Sequence, residues 1–154
     1  MKKIILLLLI ASVGVAACKK EKKSSTRADK PIEEAILGVW LTTSEIHDYY
    51  NANNEKVFSR TVEPGWKYTI NEQVRLANPQ GESQFRVPYT ITNNNGTNWI
   101  SFTARGSTEM YEITSLEQET MSWKQEKTNV TYNDNGEKTA AREVITYTFH
   151  CPCK

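Results

Sequence analysis

From residue 38 onward, apolar and polar side chains alternate one by one in short runs, and no long stretch keeps helical spacing. Val39 and Leu41 alternate with Gly38, Trp40 and Thr42, and Trp66, Tyr68 and Ile70 alternate with Lys67, Thr69 and Asn71. Phe85, Val87, Tyr89 and Ile91 are separated by Arg86, Pro88 and Thr90. The pattern returns at Ile100 and Phe102, at Tyr111 and Ile113, at Met121 and Trp123, and at Ile145, Tyr147 and Phe149. Runs of period two that are rich in β-branched and aromatic residues are half-buried strands. Between them lie turn residues, among them Pro64-Gly65, Asn78-Pro79-Gln80-Gly81, Asn93 to Gly96 and Asn133-Asp134-Asn135-Gly136. Asn135-Gly136 is the strongest hairpin signal of the set. One helical turn is predicted at 31–36, where Pro31 suits a first turn and Glu33 and Glu34 suit its positive end.

This punctuation divides the chain into eight predicted strands, at 37–47, 55–63, 66–76, 84–92, 98–105, 109–116, 119–132 and 138–150. Strands joined by short turns prefer to be neighbours, and an antiparallel meander keeps two exposed edges unless it closes. The expected fold is therefore all-β: an eight-stranded antiparallel up-and-down barrel behind a short N-terminal helical turn. A two-layer sandwich is the alternative. A membrane-spanning barrel is disfavoured by Arg60, Lys67, Arg86 and Glu112, which put charge on both strand faces. Strict alternation turns Val39, Leu41, Tyr68, Ile70, Phe85 and Val87 inward, followed by Tyr89, Ile100, Phe102, Tyr111, Ile113, Trp123, Tyr147 and Phe149.

The N-terminal segment follows a different pattern. Lys2 and Lys3 precede an uncharged run from Ile4 to Ala17, shorter than the roughly 20 apolar residues a spanning helix needs. It ends in Val15-Ala16-Ala17-Cys18, which resembles the lipobox of bacterial lipoproteins. That resemblance implies a signal peptide at 1–17 and lipidation of Cys18, with an ordinary secretory signal or a short membrane anchor as alternatives. Lys19 to Lys30 holds six basic and two acidic residues, a charge of +4, whereas Pro31 to Lys154 carries −5. The basic stretch buries nothing and reads as a disordered tether over 18–31, leaving 32–154 for the barrel domain. Beside a lipid on Cys18, each basic residue would add up to about 1 kcal/mol of attraction to anionic headgroups. An acidic, exported domain argues against nucleic acid as a partner. Lys19 is not the aspartate that marks inner-membrane retention, and no acidic export run follows. By resemblance the protein faces the periplasm from a membrane of the cell envelope, the outer favoured over the inner.

Ile36-Leu37-Gly38-Val39-Trp40 after a helical turn resembles the Gly-x-Trp opening of lipocalins, and more closely that of lipocalin-like domains in small Bacteroidetes lipoproteins. Tyr111-Glu112-Ile113-Thr114-Ser115-Leu116 and the following Met121-Ser122-Trp123 resemble their later strands. The resemblance implies that Gly38 and Trp40 form the barrel floor and that Arg142, from the last strand, packs over the Trp40 ring. It also implies a barrel interior that binds or carries a small hydrophobic ligand. Tyr68, Phe85, Tyr89, Phe102, Tyr111, Trp123 and Tyr147 are the candidates to line it.

No nucleophile elbow, metalloprotease helix or phosphate loop is present, and His47 and His150 lie near opposite ends of the folded part. The expectation is a non-enzymatic protein without a cofactor. The C-terminal His150-Cys151-Pro152-Cys153 leaves three readings open. Cys151 and Cys153 form a local disulfide, or remain separate thiols or bridge to another chain, or join His150 in a soft-metal site. The alternatives to ligand carriage are a protein-interaction or envelope-stress module with a filled barrel, and metal or redox sensing through these cysteines.

Overall fold

Ten antiparallel strands form a nearly closed barrel in a computed structural model of the chain, which describes residues 27–152. The leader at 1–17, Cys18, the tether as far as Thr26, and Cys153 and Lys154 lie outside the described residues. A single 3-10 turn (Arg27–Asp29) and the helix α1 (Ile32–Ala35) lead into β1 (Gly38–Tyr50). Then come β2 (Lys56–Val62), β3 (Lys67–Ile70), β4 (Val74–Ala77), β5 (Ser83–Val87) and β6 (Tyr89–Asn94). The barrel is completed by β7 (Thr97–Ala104), β8 (Ser107–Leu116), β9 (Thr120–Asn133) and β10 (Glu137–His150).

The spatial order is β5-β4-β3-β1-β10-β9-β8-β7-β6, with β2 also paired to β1. The two ends of this list are successive in sequence, separated only by Pro88. Residues before the proline pair with β4 and residues after it pair with β7, so this segment draws the sheet into a ring. Proline cannot donate to a ladder and suits the point where a strand changes partners. The strand count thus corrects the expected eight to ten. The predicted strand 84–92 is divided at Pro88, and 66–76 is a β3–β4 hairpin whose turn is held by Asn71 Oδ1 accepting from Gln73 N at 3.1 Å. A side-chain oxygen that satisfies a backbone donor two residues on competes with continued strand pairing.

β1 carries the barrel's main irregularity. Its first four residues pair with β3, its later ones with β2, and its register against β10 shifts between Thr42 and Ser44. A bulge of this kind turns the strand and changes which residues face inward. The inward face of β1 corrects the alternation reading: Trp40 and Thr42 are buried, while Val39 and Leu41 are only half-buried. Beyond the bulge Glu45, His47 and Tyr49 stand opposite Tyr147, Ile145 and Glu143, on the face that carries Phe149 into the core. Gly38 enters this strand with φ of 144°, a conformation that side chains resist.

The lower half of the barrel is filled. Trp40, Tyr68, Ile70, Ile100, Met121, Trp123 and Phe149 form one cluster, with Trp40 and Phe149 fully shielded from solvent. Trp123 meets Phe149 at 4.9 Å and Tyr68 at 5.3 Å between ring centroids, both in edge-to-face geometry. Such pairs each contribute about 0.5–1.5 kcal/mol beyond area burial. Among the described residues, the ladder between β8 and β9 covers only 112–116 and 121–124. Above that, residues 107–111 pair with β7 and residues 125–133 pair with β10, so the barrel wall is split on the side away from the floor.

Candidate functional site

Above the filled half, β3, β4, β5, β7, β8, β9 and β10 line an open-mouthed cavity of about 430 Å3. Trp66, Tyr68, Leu76, Phe85, Phe102, Tyr111 and Tyr147 supply its apolar wall, and Gln84, Arg105, Glu109, Gln125 and Lys127 its polar side and rim. Five of the seven candidate lining residues therefore come together: Tyr68, Phe85, Phe102, Tyr111 and Tyr147. Two do not. Trp123 lies beneath the cavity in the packed floor, and Tyr89 donates its hydroxyl to the Asn71 carbonyl at 2.9 Å.

Phe102 stacks against Tyr111 at 5.6 Å, and Tyr111 meets Tyr147 edge-on at 5.7 Å, so the rings brace one another. Burial pushes the Tyr68, Tyr111 and Tyr147 phenols well above their ordinary range, and the Glu45 and Glu109 carboxylates push in the same direction. Among the described residues these three hydroxyls form no hydrogen bond to protein atoms. A cavity walled by rings and holding a few neutral hydroxyls suits a molecule that is mostly apolar with some polar atoms.

A polar strip climbs the wall beside these tyrosines. His47 Nδ1 lies 2.7 Å from Glu143 Oε1, and His47 Nε2 lies 2.9 Å from Glu45 Oε1. With both carboxylates as acceptors, the two contacts are hydrogen bonds only for an imidazole that donates from both nitrogens. Burial alone would raise the Glu143 carboxyl. The bonds from His47 and Tyr49, with the charges of His47 and Lys127, hold it below the usual carboxylate value. The sequence reading assigned no role to this cluster. Its one local signal is Glu45-x-His47 on a single strand face; Glu143 arrives only through the pairing of β1 with β10.

At the floor, the expected cation over Trp40 is corrected. Trp40 is fully buried and donates Nε1 to the Ile36 carbonyl at 2.8 Å. The cation above its ring is Arg27, at 4.6 Å, rather than Arg142. Arg142 instead sits 4.4 Å over Tyr50 and binds Glu126 at 3.1 Å, near the far end of the barrel. The register explains this: Arg142 pairs with Tyr50, nine positions along β1 from Leu41, whose partner is His150. Arg27 also donates its backbone N–H to Gln118 Oε1 at 2.9 Å, which makes the end of the expected tether part of the folded unit.

At the C-terminus, Cys151 is buried, disulfide-bonded and anchored by a bond from its N–H to the Glu119 carbonyl at 2.8 Å. Its partner sulfur and Cys153 lie outside the described residues, and His150 is exposed. Among the described residues no three His, Cys, Asp or Glu side chains converge as metal ligands. Compared with known protein families, curated proteins and solved structures, the chain matches none.

Proposed function

We propose that this chain is a lipid-anchored, lipocalin-like binding protein of the bacterial cell envelope that holds a small hydrophobic or amphipathic molecule in its barrel. The observation that carries the reading is the tyrosine-lined cavity of about 430 Å3 above a solid aromatic floor. That volume falls within the roughly 300–1,000 Å3 of ordinary ligand sites. The ring walls supply apolar contact and the three phenols supply orientation, a division of labour common to such sites. Val15-Ala16-Ala17-Cys18 supports the anchor. Under this reading Cys18 carries the acyl chains, residues after it span the headgroups, and the barrel faces the periplasm.

The test is native mass spectrometry of protein purified from its own membranes, beside binding of a fluorescent apolar probe to wild type and to Leu76→Trp. Leu76 is half-buried in the cavity wall, and an indole there fills the space while leaving the floor intact. Expected are a co-purifying small molecule on the wild type, probe binding to wild type, and loss of both in the variant. Probe binding that persists unchanged in Leu76→Trp would place the ligand elsewhere and overturn the proposal. Migration of Cys18→Ser unchanged in detergent phase separation would remove the lipid anchor.

A further inference from the structure

The cavity is not closed by the barrel wall. Glu109, Gln125 and Lys127 line it from inside, and the same three residues line a groove of about 510 Å3 on the outer face. The rest of that groove is Trp99, Thr108, Met110, Glu112, Lys124 and Glu126. Trp99, Glu112 and Lys124 are cross-strand neighbours, so they share the face opposite Ile113 and Trp123, which enter the core. One set of side chains can be reached from both sides because the β8–β9 ladder stops at Glu112 and Lys124. At the foot of the split Lys124 pairs with Glu112 at 3.8 Å, and above it Gln125 Nε2 donates to Glu109 Oε2 across the gap. The strand edges above that foot hold backbone polar groups that no ladder satisfies, an arrangement that persists where water or a ligand can reach them.

We infer that the binding site runs through the wall between β8 and β9, and that its occupant is an elongated single-chain amphiphile with a zwitterionic head group. This rests on the binding function proposed above and adds the shape and polarity of the ligand. The apolar end fits among Tyr68, Phe102 and Tyr111 inside. The neck passes the Glu109–Gln125 bond. The head group lies outside, where the loose Glu112–Lys124 pair and Lys127 present both signs of charge. Met110, more than half exposed beside Trp99, gives the neck an apolar support that a purely polar rim would not. The inner cavity by itself is at the small end of ligand sites, and the groove adds a space of comparable size.

The full chain kept soluble in amphipol provides the test, with single-chain phosphocholine probes carrying a diazirine either beside the head group or at the tail end. Expected, with labels assigned to single residues by fragment-ion sequencing, is tail-end labelling of Tyr68, Phe102 or Tyr111, and head-side labelling of Trp99, Thr108 or Met110. In addition, Met110→Asp should weaken a hexadecyl probe about tenfold, the loss of one or two buried methylenes. Head-side labelling at the barrel mouth (Gln84 and Arg105) with interior tail labelling intact would overturn the passage through the wall while sparing the binding function. Cross-links to another polypeptide at 107–111 would assign the split to a docking strand and overturn it too. If neither probe labels the interior, the binding function itself fails and this inference with it.

Discussion

Replacing His47 by glutamine isolates the most consequential polar feature of the wall. In the parent, His47 bridges two carboxylates at 2.7 and 2.9 Å, and the three side chains keep only 8–15% of their exposure. Glutamine cannot carry the charge, so Glu45 and Glu143 would face each other across a desolvated space without a cation. Breaking a buried pair in this way costs about 3–5 kcal/mol, and the residual exposure places this case near the lower figure, about 3 kcal/mol. With a urea slope of about 1.5 kcal/mol/M, the unfolding midpoint should fall by about 2 M near neutral pH. The sign with pH follows from Glu143. Its folded value lies below the ordinary carboxylate value, so its contribution is present above that value and is lost as pH falls through it. The gap between parent and His47→Gln should therefore narrow in acid, where Glu143 takes up its proton. The triple change Glu45→Gln, His47→Gln, Glu143→Gln should recover most of the loss, since neutral amides need no counter-charge. A single variant within about 1 kcal/mol of the parent, or a triple variant as unstable as the single one, would refute the reasoning.

Arg27→Met keeps an apolar stem over Trp40 and removes the cation, so stability should drop by about 1 kcal/mol, read as a lower thermal midpoint and a shifted tryptophan emission. Arg142→Met should leave that emission where it is, because its guanidinium lies over Tyr50. Tyr68, Tyr111 and Tyr147 have raised values in the folded state, so their contribution holds below the ordinary phenol value and is lost as pH rises. Phenolate absorbance at about pH 11 should therefore show part of the tyrosine content until the chain unfolds, and full content in denaturant. Gly136→Ala meets no atom within 4 Å, yet its φ of 134° is closed to a side chain. It should lose about 1 kcal/mol or more in equilibrium unfolding without altering probe binding.

Much of the barrel could be read from short-range chemistry. Alternation located the strands that carry Ile100, Phe102, Tyr111, Ile113 and Trp123, and Asn135-Gly136 marked the β9–β10 turn. Alternation failed on β1 because the apolar run there has large side chains on both faces, and only closure against β3 and β10 decides which face is inside. Trp40 won because the floor has room for an indole capped by Arg27, whereas Val39 and Leu41 suffice on the half-buried outer side. The split between β8 and β9 left no sign in composition. It comes from the bulge between Ile113 and Ser115 and from the long β9 following β10 instead of β8.

The sequence by itself determined the all-β class, the glycine and asparagine turns, the basic stretch before an acidic domain, and the ring of aromatic residues from which a cavity could be built. These follow from period, turn chemistry and charge, which act over a few residues. Tertiary structure decided which aromatics line the cavity and which fill the floor, because that depends on depth along the barrel axis. It also joined Glu143 to His47, and Arg27 to Trp40, across 96 and 13 positions of chain respectively. Strand register, rather than sequence distance, determines such meetings, and register is settled only when every strand has found its partner.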